Sequence, residues 1–375
     1  MQIRNIKVYV FRVPSGRPVR SAVGQYDNRP AVLVRVKDTD GISGWGEVFC
    51  NFPPCGAEHR AHLIDTLLAP LIIGKQLTTP PEIYQSLTRD TEIIALKSGE
   101  FGPFAQCIAG IDIALWDLHA KRKKMPLWKL LNPEGNPRLK VYASGLGPDD
   151  FEQVAERRKN EGFGAFKLKI GFGLKEDLKN LERLRAVIGD DAALMADANQ
   201  VWSVAQASIA LESLAGYSLY WLEEPIRCNR PLEEWTQLSA AGSIALAAGE
   251  NLRGEDQFGR FIDSGVLRFV QPDVIKWGGI SGLLPVVTNA AEKGIHYCPH
   301  SFGSGVGLAA SAQLLASQQG KGWLEVDANE NPLQREMIDP FLEIDRGTTL
   351  LPDRPGLGWE PKLKYFEKYI VHQST

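Results

Sequence analysis

The sequence predicts an α/β protein in which a (β/α)8-type barrel follows an N-terminal α+β domain. Three observations carry this. Asp197, Glu223 and Glu250 each end a short apolar run, and they succeed one another at steps of 26 and 27 residues. Such a step holds one strand and one helix, and a parallel barrel gathers the C-terminal ends of its strands around one mouth. The pitch also continues in both directions: Lys169 stands 28 residues before Asp197, and Asp273, His300 and Glu325 follow Glu250 at 23, 27 and 25. Finally, the segments in between read as helices. Leu178, Leu181, Leu184, Val187 and Ile188 recur at helical spacing over 176–189, with Gly189 where a C-terminal cap belongs.

The first part of the chain has a different texture. Residues 3–13 and 31–37 read as strands, and Asp38-Thr39-Asp40-Gly41 as a turn into a third strand over 44–48. Helices follow, patterned best over 104–121. Three strands and then helices indicate a separate α+β unit, residues 1–125. Pro126, Pro133 and Pro137 punctuate the junction. The barrel is then expected over 126–349, with strands near 139–144, 166–171, 194–197, 220–223, 246–250, 267–270, 295–300 and 322–326. A segment over 350–375 carries its own turn, Pro355-Gly356-Leu357-Gly358. Because side chains alternate along a strand, Lys167 and Lys169 share one side and would both enter the mouth.

Bulk properties exclude several classes. A chain of 375 residues exceeds what one core usually supports, which agrees with two domains. A net charge of −3, with both signs mixed along the chain, argues against a nucleic-acid groove or a polybasic membrane anchor. No apolar run reaches a membrane-spanning length, and the start of the chain lacks the apolar core of a signal peptide. A cytoplasmic protein is expected, forming a homo-oligomer and acting on a small-molecule carboxylate. Five scattered cysteines (Cys50, Cys55, Cys107, Cys228, Cys298) form no zinc-site pattern and read as reduced thiols, with Cys298 in the core.

Carboxylates brought together repel, and a hard divalent cation such as Mg2+ relieves that repulsion while keeping positions open for substrate oxygens. Each acid taken alone could instead cap the helix that follows it. For three in register the metal reading is the stronger.

The ordered set Lys167-Leu168-Lys169, Asp197-Ala198-Asn199, Glu223-Glu224-Pro225, Gly249-Glu250-Asn251, Gln271-Pro272-Asp273 with Gly278-Gly279-Ile280, and Pro299-His300 resembles the enolase superfamily, mandelate racemase subgroup. The likeness spans nearly the whole chain, from the helix around Gly110-Ile111-Asp112 to the turn at Pro355. Residues 167–173, 303–306 and 324–332 are similar to acid-sugar enzymes of the galactarolactone cycloisomerase kind, although Asn251 stands where that kind has threonine. The resemblance implies an enolase-like modified barrel, a capping domain to which the C-terminal segment returns, and polar loops over 15–29 and 51–58 that close the mouth.

It also implies roles. Asp197, Glu223 and Glu250 would hold Mg2+, or Mn2+ in its place. Glu224 would support them. Lys169 would be the base on one face of the substrate, neutral part of the time because Lys167 or the metal lowers its pKa. Lys167 would bind the substrate carboxylate, or else form a strand-end ion pair. His300 would be the acid or base on the opposite face, its ring held by Asp273. A protonated Glu325 would donate a hydrogen bond to the developing charge. Asn199 would serve the outer shell or the substrate, a helix N-cap being an equal reading. Arg20 and Tyr26 in the first polar loop suit an acidic polyol, whereas Lys276 has the wrong strand parity for catalysis.

The proton next to a carboxylate is weakly acidic, since its removal adds charge to an anion, and a Lys or His base working with Mg2+ is the known remedy in that superfamily. The expected reaction is abstraction of that proton followed by β-elimination, in a dehydratase or lactone cycloisomerase. A racemase or epimerase using both bases is the alternative, and a non-catalytic carboxylate-binding barrel a third reading.

Overall fold

A computed structural model describes residues 2–21, 24–76 and 78–374, the side chains of 16–27 lying outside that description. The chain opens with an antiparallel sheet of β1 (Ile3–Ser21), β2 (Gly24–Asp38) and β3 (Ser43–Val48). Both faces of this sheet are buried. Val8, Val10, Val32, Val34 and Val36 pack on the helices that follow, while Tyr9, Phe11, Val13, Ala31 and Leu33 belong to the cluster that includes the barrel. Those helices are α1 (Gly56–Leu63), α2 (Pro80–Ser98), α3 (Phe101–Lys123) and the short α4 (Leu127–Leu131). Residues on most sides of α3 are buried, from Phe104 through Ile111 and Ala114 to Leu118, because sheet and barrel enclose it.

One expectation for this unit changes. Where a polar loop is expected over 15–29, the described residues 15–21 and 24–29 continue β1 and β2 as a ribbon that pairs Val19 with Tyr26 and Arg20 with Gln25. The side chains of Arg20 and Tyr26, and hence their expected contacts with substrate, lie outside the described residues.

The barrel alternates β4 (Arg138–Leu146), α5 (Phe151–Asn160), β5 (Ala165–Lys169), α6 (Leu174–Ile188), β6 (Ala193–Asp197) and α7 (Val204–Leu214). It continues through β7 (Leu219–Glu223), α8 (Leu232–Ala241), β8 (Leu246–Ala248), α9 (Gly254–Ser264), β9 (Phe269–Val270) and α10 (Gly279–Glu292). It ends with β10 (His296–Tyr297), α11 (Gly305–Ser317) and β11 (Trp323–Asp327). Parallel ladders join β4 through β10 in order, and β11 pairs with β4. The eighth strand has no full helix after it. A four-residue α12 (Pro332–Arg335) leads instead into a hairpin of β12 (Ile344–Asp345) and β13 (Thr348–Leu350), which pairs antiparallel with β4.

The tail then crosses to the first sheet through α13 (Leu363–Phe366) and ends in β14 (Ile370–Gln373), which pairs antiparallel with β1. Glu360 accepts from the Trp45 indole at 2.9 Å and is ion-paired with Lys121. Two buried acids of the capping unit also hold barrel helices by their N-termini. Asp112 accepts from the backbone of Ile280 and Ser281 at the start of α10, at 2.8 and 2.9 Å, and Glu47 does the same at α11. All five cysteines are free thiols, and Cys298 is buried. Among the described residues no helix is long and apolar enough to cross a membrane.

Candidate active site

The inside of the barrel is layered by strand parity. Tyr142, Ala165, Met195, Trp221, Ala247, Phe269 and Cys298, one from each of seven strands or strand ends, form a dry plug. Two residues further along those strands lie Lys167, Asp197, Glu223, Gln271 and His300, all buried. The polar layer therefore sits directly on the plug. Register completes it: Lys169 is paired with Asp197 and Asp197 with Glu223 across neighbouring strands. Glu250 reaches the same level by another route. Gly249 has φ of +149°, and a Cβ there would fall 2.6 Å from the backbone nitrogen of Gln271, so only glycine permits the turn that follows β8.

Charge is paired within this layer. Lys167 Nζ lies 2.7 Å from Glu223 and 2.8 Å from Glu325, and Lys169 Nζ donates to Asp197 at 2.6 Å. The ion-pair reading of Lys167 is thus the one the side chains adopt. Across the cavity the His300 ring stands between two carboxylates, with Nδ1 2.6 Å from Asp273 and Nε2 2.6 Å from Glu250. Burial alone would lower its pKa, but Glu250 and Asp273 raise it well above the ordinary range. Both nitrogens face carboxylate oxygens, the geometry that suits a doubly protonated ring.

Two expected roles meet a different electrostatic setting in this arrangement. At Glu325 burial would raise the pKa, yet Lys167 and His300 bring it down to about 2. The Glu325 carboxyl accepts from Ser301 N at 2.7 Å. At Lys169 the balance also runs toward the charged form. Burial and Lys167 do push its pKa down, but Asp197 outweighs them and holds it above the usual value. A base at this position needs Asp197 drawn away from it.

The outer residues also settle. Asn199 is not a helix cap, because Ser203 caps α7 in a reciprocal box with Gln206. Asn199 instead turns back on Asp197 through its backbone N–H at 2.8 Å, and its Oδ1 is buried without a partner. Asn251 is a hub: its amide donates to Glu224 at 3.0 Å and to Glu250 at 2.8 Å, and accepts from Lys276 at 3.0 Å. Lys276, given no catalytic role by its strand parity, lines the cavity wall and lies 3.6 Å from Glu250. Burial, with Glu250 and Asp197 nearby, raises the pKa of Glu224 well above the carboxylate range.

The donor chemistry suits a hard divalent cation. Asp197, Glu223, Glu224, Glu250, Asp273 and Glu325 are six acids facing Lys167, Lys169, Lys276 and His300, so the layer carries more negative than positive groups. Burial and repulsion from Asp197 lift Glu223 to about 7, a strain that a cation would relieve. As placed, each acid turns to its own partner, and among the described residues no three His, Cys, Asp or Glu side chains converge on one point. Asp197, Glu223 and Glu250 could hold the ion once they leave those partners, and the unpartnered Asn199 oxygen lies beside them.

Above this layer opens a cavity of about 800 Å3. Lys169 and His300 both line it, and amide side chains such as Asn28, Asn51, Gln106, Asn229 and Asn331 share the polar walls with charged ones such as Arg12, Arg227 and Arg253. Phe302 was not singled out from the sequence. Its ring stacks on His300 at 5.6 Å between centroids, and Lys169 Nζ lies 5.7 Å from its centre. It touches both base candidates from a loop, where no periodicity could reveal it. Arg29 contributes from the capping unit, paired with Asp327 at 2.7 Å.

Comparison with known proteins places this arrangement. The family model for the mandelate racemase / muconate lactonizing enzyme N-terminal domain matches residues 5–132, and that for the enolase C-terminal domain-like family matches residues 150–365. D-galactarolactone cycloisomerase of Agrobacterium fabrum is 31% identical over 96% of this chain and 96% of its own length. A solved mandelate racemase/muconate lactonizing enzyme from Bordetella bronchiseptica RB50 superposes with a TM-score of 0.90 at 43% identity, covering 98% of this chain and 99% of the other. L-talarate/galactarate dehydratase from Salmonella typhimurium LT2, solved with Mg and L-lyxarohydroxamate, superposes at 0.88 with 26% identity, over 100% and 94% of the two chains.

Proposed function

This chain belongs to the mandelate racemase and muconate lactonizing enzyme family of the enolase superfamily, and from that premise we propose that it is a Mg2+-dependent lyase or isomerase of acid sugars or their lactones. The observation that carries the reading is the placement of an amine and an imidazolium, Lys169 and His300, on one polar cavity above a crowd of carboxylates. Mg2+ held by Asp197, Glu223 and Glu250 would offset the charge that develops on the substrate carboxylate.

The chain's own residues do the rest. Lys169 Nζ takes the proton α to the carboxylate, and the electron pair left on carbon expels the β-oxygen. His300, protonated on both nitrogens, gives Nε2–H to that leaving oxygen, so that a hydroxyl departs as water or a lactone oxygen as a carboxylic acid. Asp273 at 2.6 Å keeps the ring aimed throughout. Asp273 still faces Nδ1 when Glu250 turns to the metal, and a ring charged on that account favours acid catalysis, hence elimination over racemisation, which would need a neutral imidazole on that face. Amide side chains on the walls match a polyhydroxyl chain, each able both to donate and to accept.

The test is a screen of hexarates, pentonates and their lactones with Mg2+ or Mn2+, read for the 2-keto-3-deoxy acid and for lactone opening. Turnover that needs the metal and vanishes with chelator supports the reading. Full turnover after verified metal removal would sink it.

A further inference from the structure

His300 lies three residues beyond the end of β10, on a stretch without regular structure. What fixes that stretch comes from the other domain. Glu47, on β3, is 1% exposed. Its Oε1 accepts from Ser304 N at 2.7 Å, and its Oε2 accepts from Ser304 Oγ at 2.6 Å and from Gly307 N at 2.7 Å. Ser304 is the N-cap of α11, four residues after His300. The same strand end also reaches the dyad's other half: Phe49 N donates to Ile275 O at 3.1 Å, and Ile275 N donates to Asp273 Oδ1 at 2.9 Å. Space has been left for the carboxylate. A Cβ on Gly303 would fall 2.6 Å from Glu47 Oε1, and one on Gly307 2.8 Å from Oε2.

We infer that Glu47 is a positioning residue for His300: the capping domain sets the Asp273–His300 pair by clamping the start of α11. The inference rests on the reading of His300 as the acid. A carboxylate is the side chain that fits, since three donors converge on it and glutamine would turn an NH2 toward one of them. A helix N-terminus adds a favourable field for the negative charge. Lys167 and Lys169 have no such dependence, being held by ion pairs within the barrel, Lys167 to Glu223 two strands away and Lys169 to Asp197 on the neighbouring strand.

The experiment uses full-length protein labelled with 15N-histidine, the His300 ring signals being assigned by their loss in His300→Asn. Glu47→Ala is expected to displace those signals from their wild-type positions, and Glu47→Gln to displace them partway. Asp38→Ala is the control, because Asp38 is a buried acid of the same domain that bonds only within it, to Ile42 and Arg122. It should lower thermal stability and leave His300 in place. Unmoved His300 signals in folded Glu47→Ala, or an equal displacement in Asp38→Ala, would overturn the inference. Should Glu47→Ala not fold, the Glu47→Gln spectrum decides by the same criterion. With galactarate and Mg2+, kcat should fall by up to roughly 100-fold in Glu47→Ala while KM changes little. Absence of galactarate turnover in the wild type would count against the proposed substrate and leave the spectral outcome to decide on Glu47.

Discussion

Lys167 and Lys169 join the polar layer from alternate positions of one strand, β5, whereas Asp273 and His300 join it from segments beyond the ends of β9 and β10. The lysine side is built by strand register: Lys169, Asp197 and Glu223 are cross-strand neighbours, and the ion pairs Lys169–Asp197 and Lys167–Glu223 need nothing outside the barrel. The histidine side is built by docking. Glu47 and Phe49 of the capping sheet hold the two segments, and Ser301 is tied back to Glu325. The difference teaches that one site can owe half its geometry to local pitch and half to an interface between domains.

The largest expected effect separates the two sides chemically. Lys169→Ala and His300→Asn should each slow turnover by about 10²–10⁴-fold. Only Lys169→Ala should also abolish exchange of the α-proton in deuterated water, read by NMR on galactarate. If exchange disappears in both variants, the two sides act as a racemase pair. If it persists in both, neither residue is the base.

Next in size is the stability stored on the lysine side. Lys167→Met strands two buried carboxylates and should cost about 3–5 kcal/mol, measured by denaturant unfolding. A loss below about 1 kcal/mol would mean that Glu223 and Glu325 find other partners and that the lysine side does not support itself. A smaller change probes the boundary between the sides, where Asn251 bridges Glu224, Glu250 and Lys276. Asn251→Ala should weaken Mg2+ binding by about 10–100-fold in titration calorimetry, as loss of an outer-shell partner does. Unchanged affinity would remove Glu250 from the metal's ligands or Asn251 from its support.

The smallest effect tests the docking itself. Burial raises Glu47 from 4.5 to about 7 and Asp112 from 3.8 to about 7. A carboxyl with a raised folded pKa contributes stability that is complete below its unfolded pKa and is lost as pH rises through the folded value. Melting temperature, measured with Mg2+ absent, should therefore fall by roughly 2–4 °C between pH 5 and 8. The double variant Glu47→Gln/Asp112→Asn should flatten that slope. An equal slope in the variant would place the titrating groups elsewhere.

Much of the lysine side could be read from the chain alone. A strand has period two and a βα unit has a nearly constant length, so Lys167, Lys169, Asp197 and Glu223 were assigned to one mouth by counting. Eight strands were countable for the same reason. Lys276 and Phe302 escaped, since both follow strand ends where the backbone no longer alternates and parity loses its meaning. The ribbon over 15–21 and 24–29 escaped as well, because its sequence carries no apolar alternation and so reads as a loop.

What the sequence determined by itself is the order of charged residues around the barrel, because covalent spacing and backbone geometry leave one way to place them. Their protonation was decided only by tertiary structure. Asp197 outweighs burial and raises the pKa of Lys169, Lys167 and His300 bring Glu325 down to about 2, and Glu250 and Asp273 raise His300 well above its ordinary range. Those states depend on distances of a few ångströms between residues far apart in the chain, inside a medium of low polarity where such distances dominate. Tertiary structure alone also brought Glu47 to the start of α11, since nothing along the chain links a strand of the first domain to a helix 257 positions later.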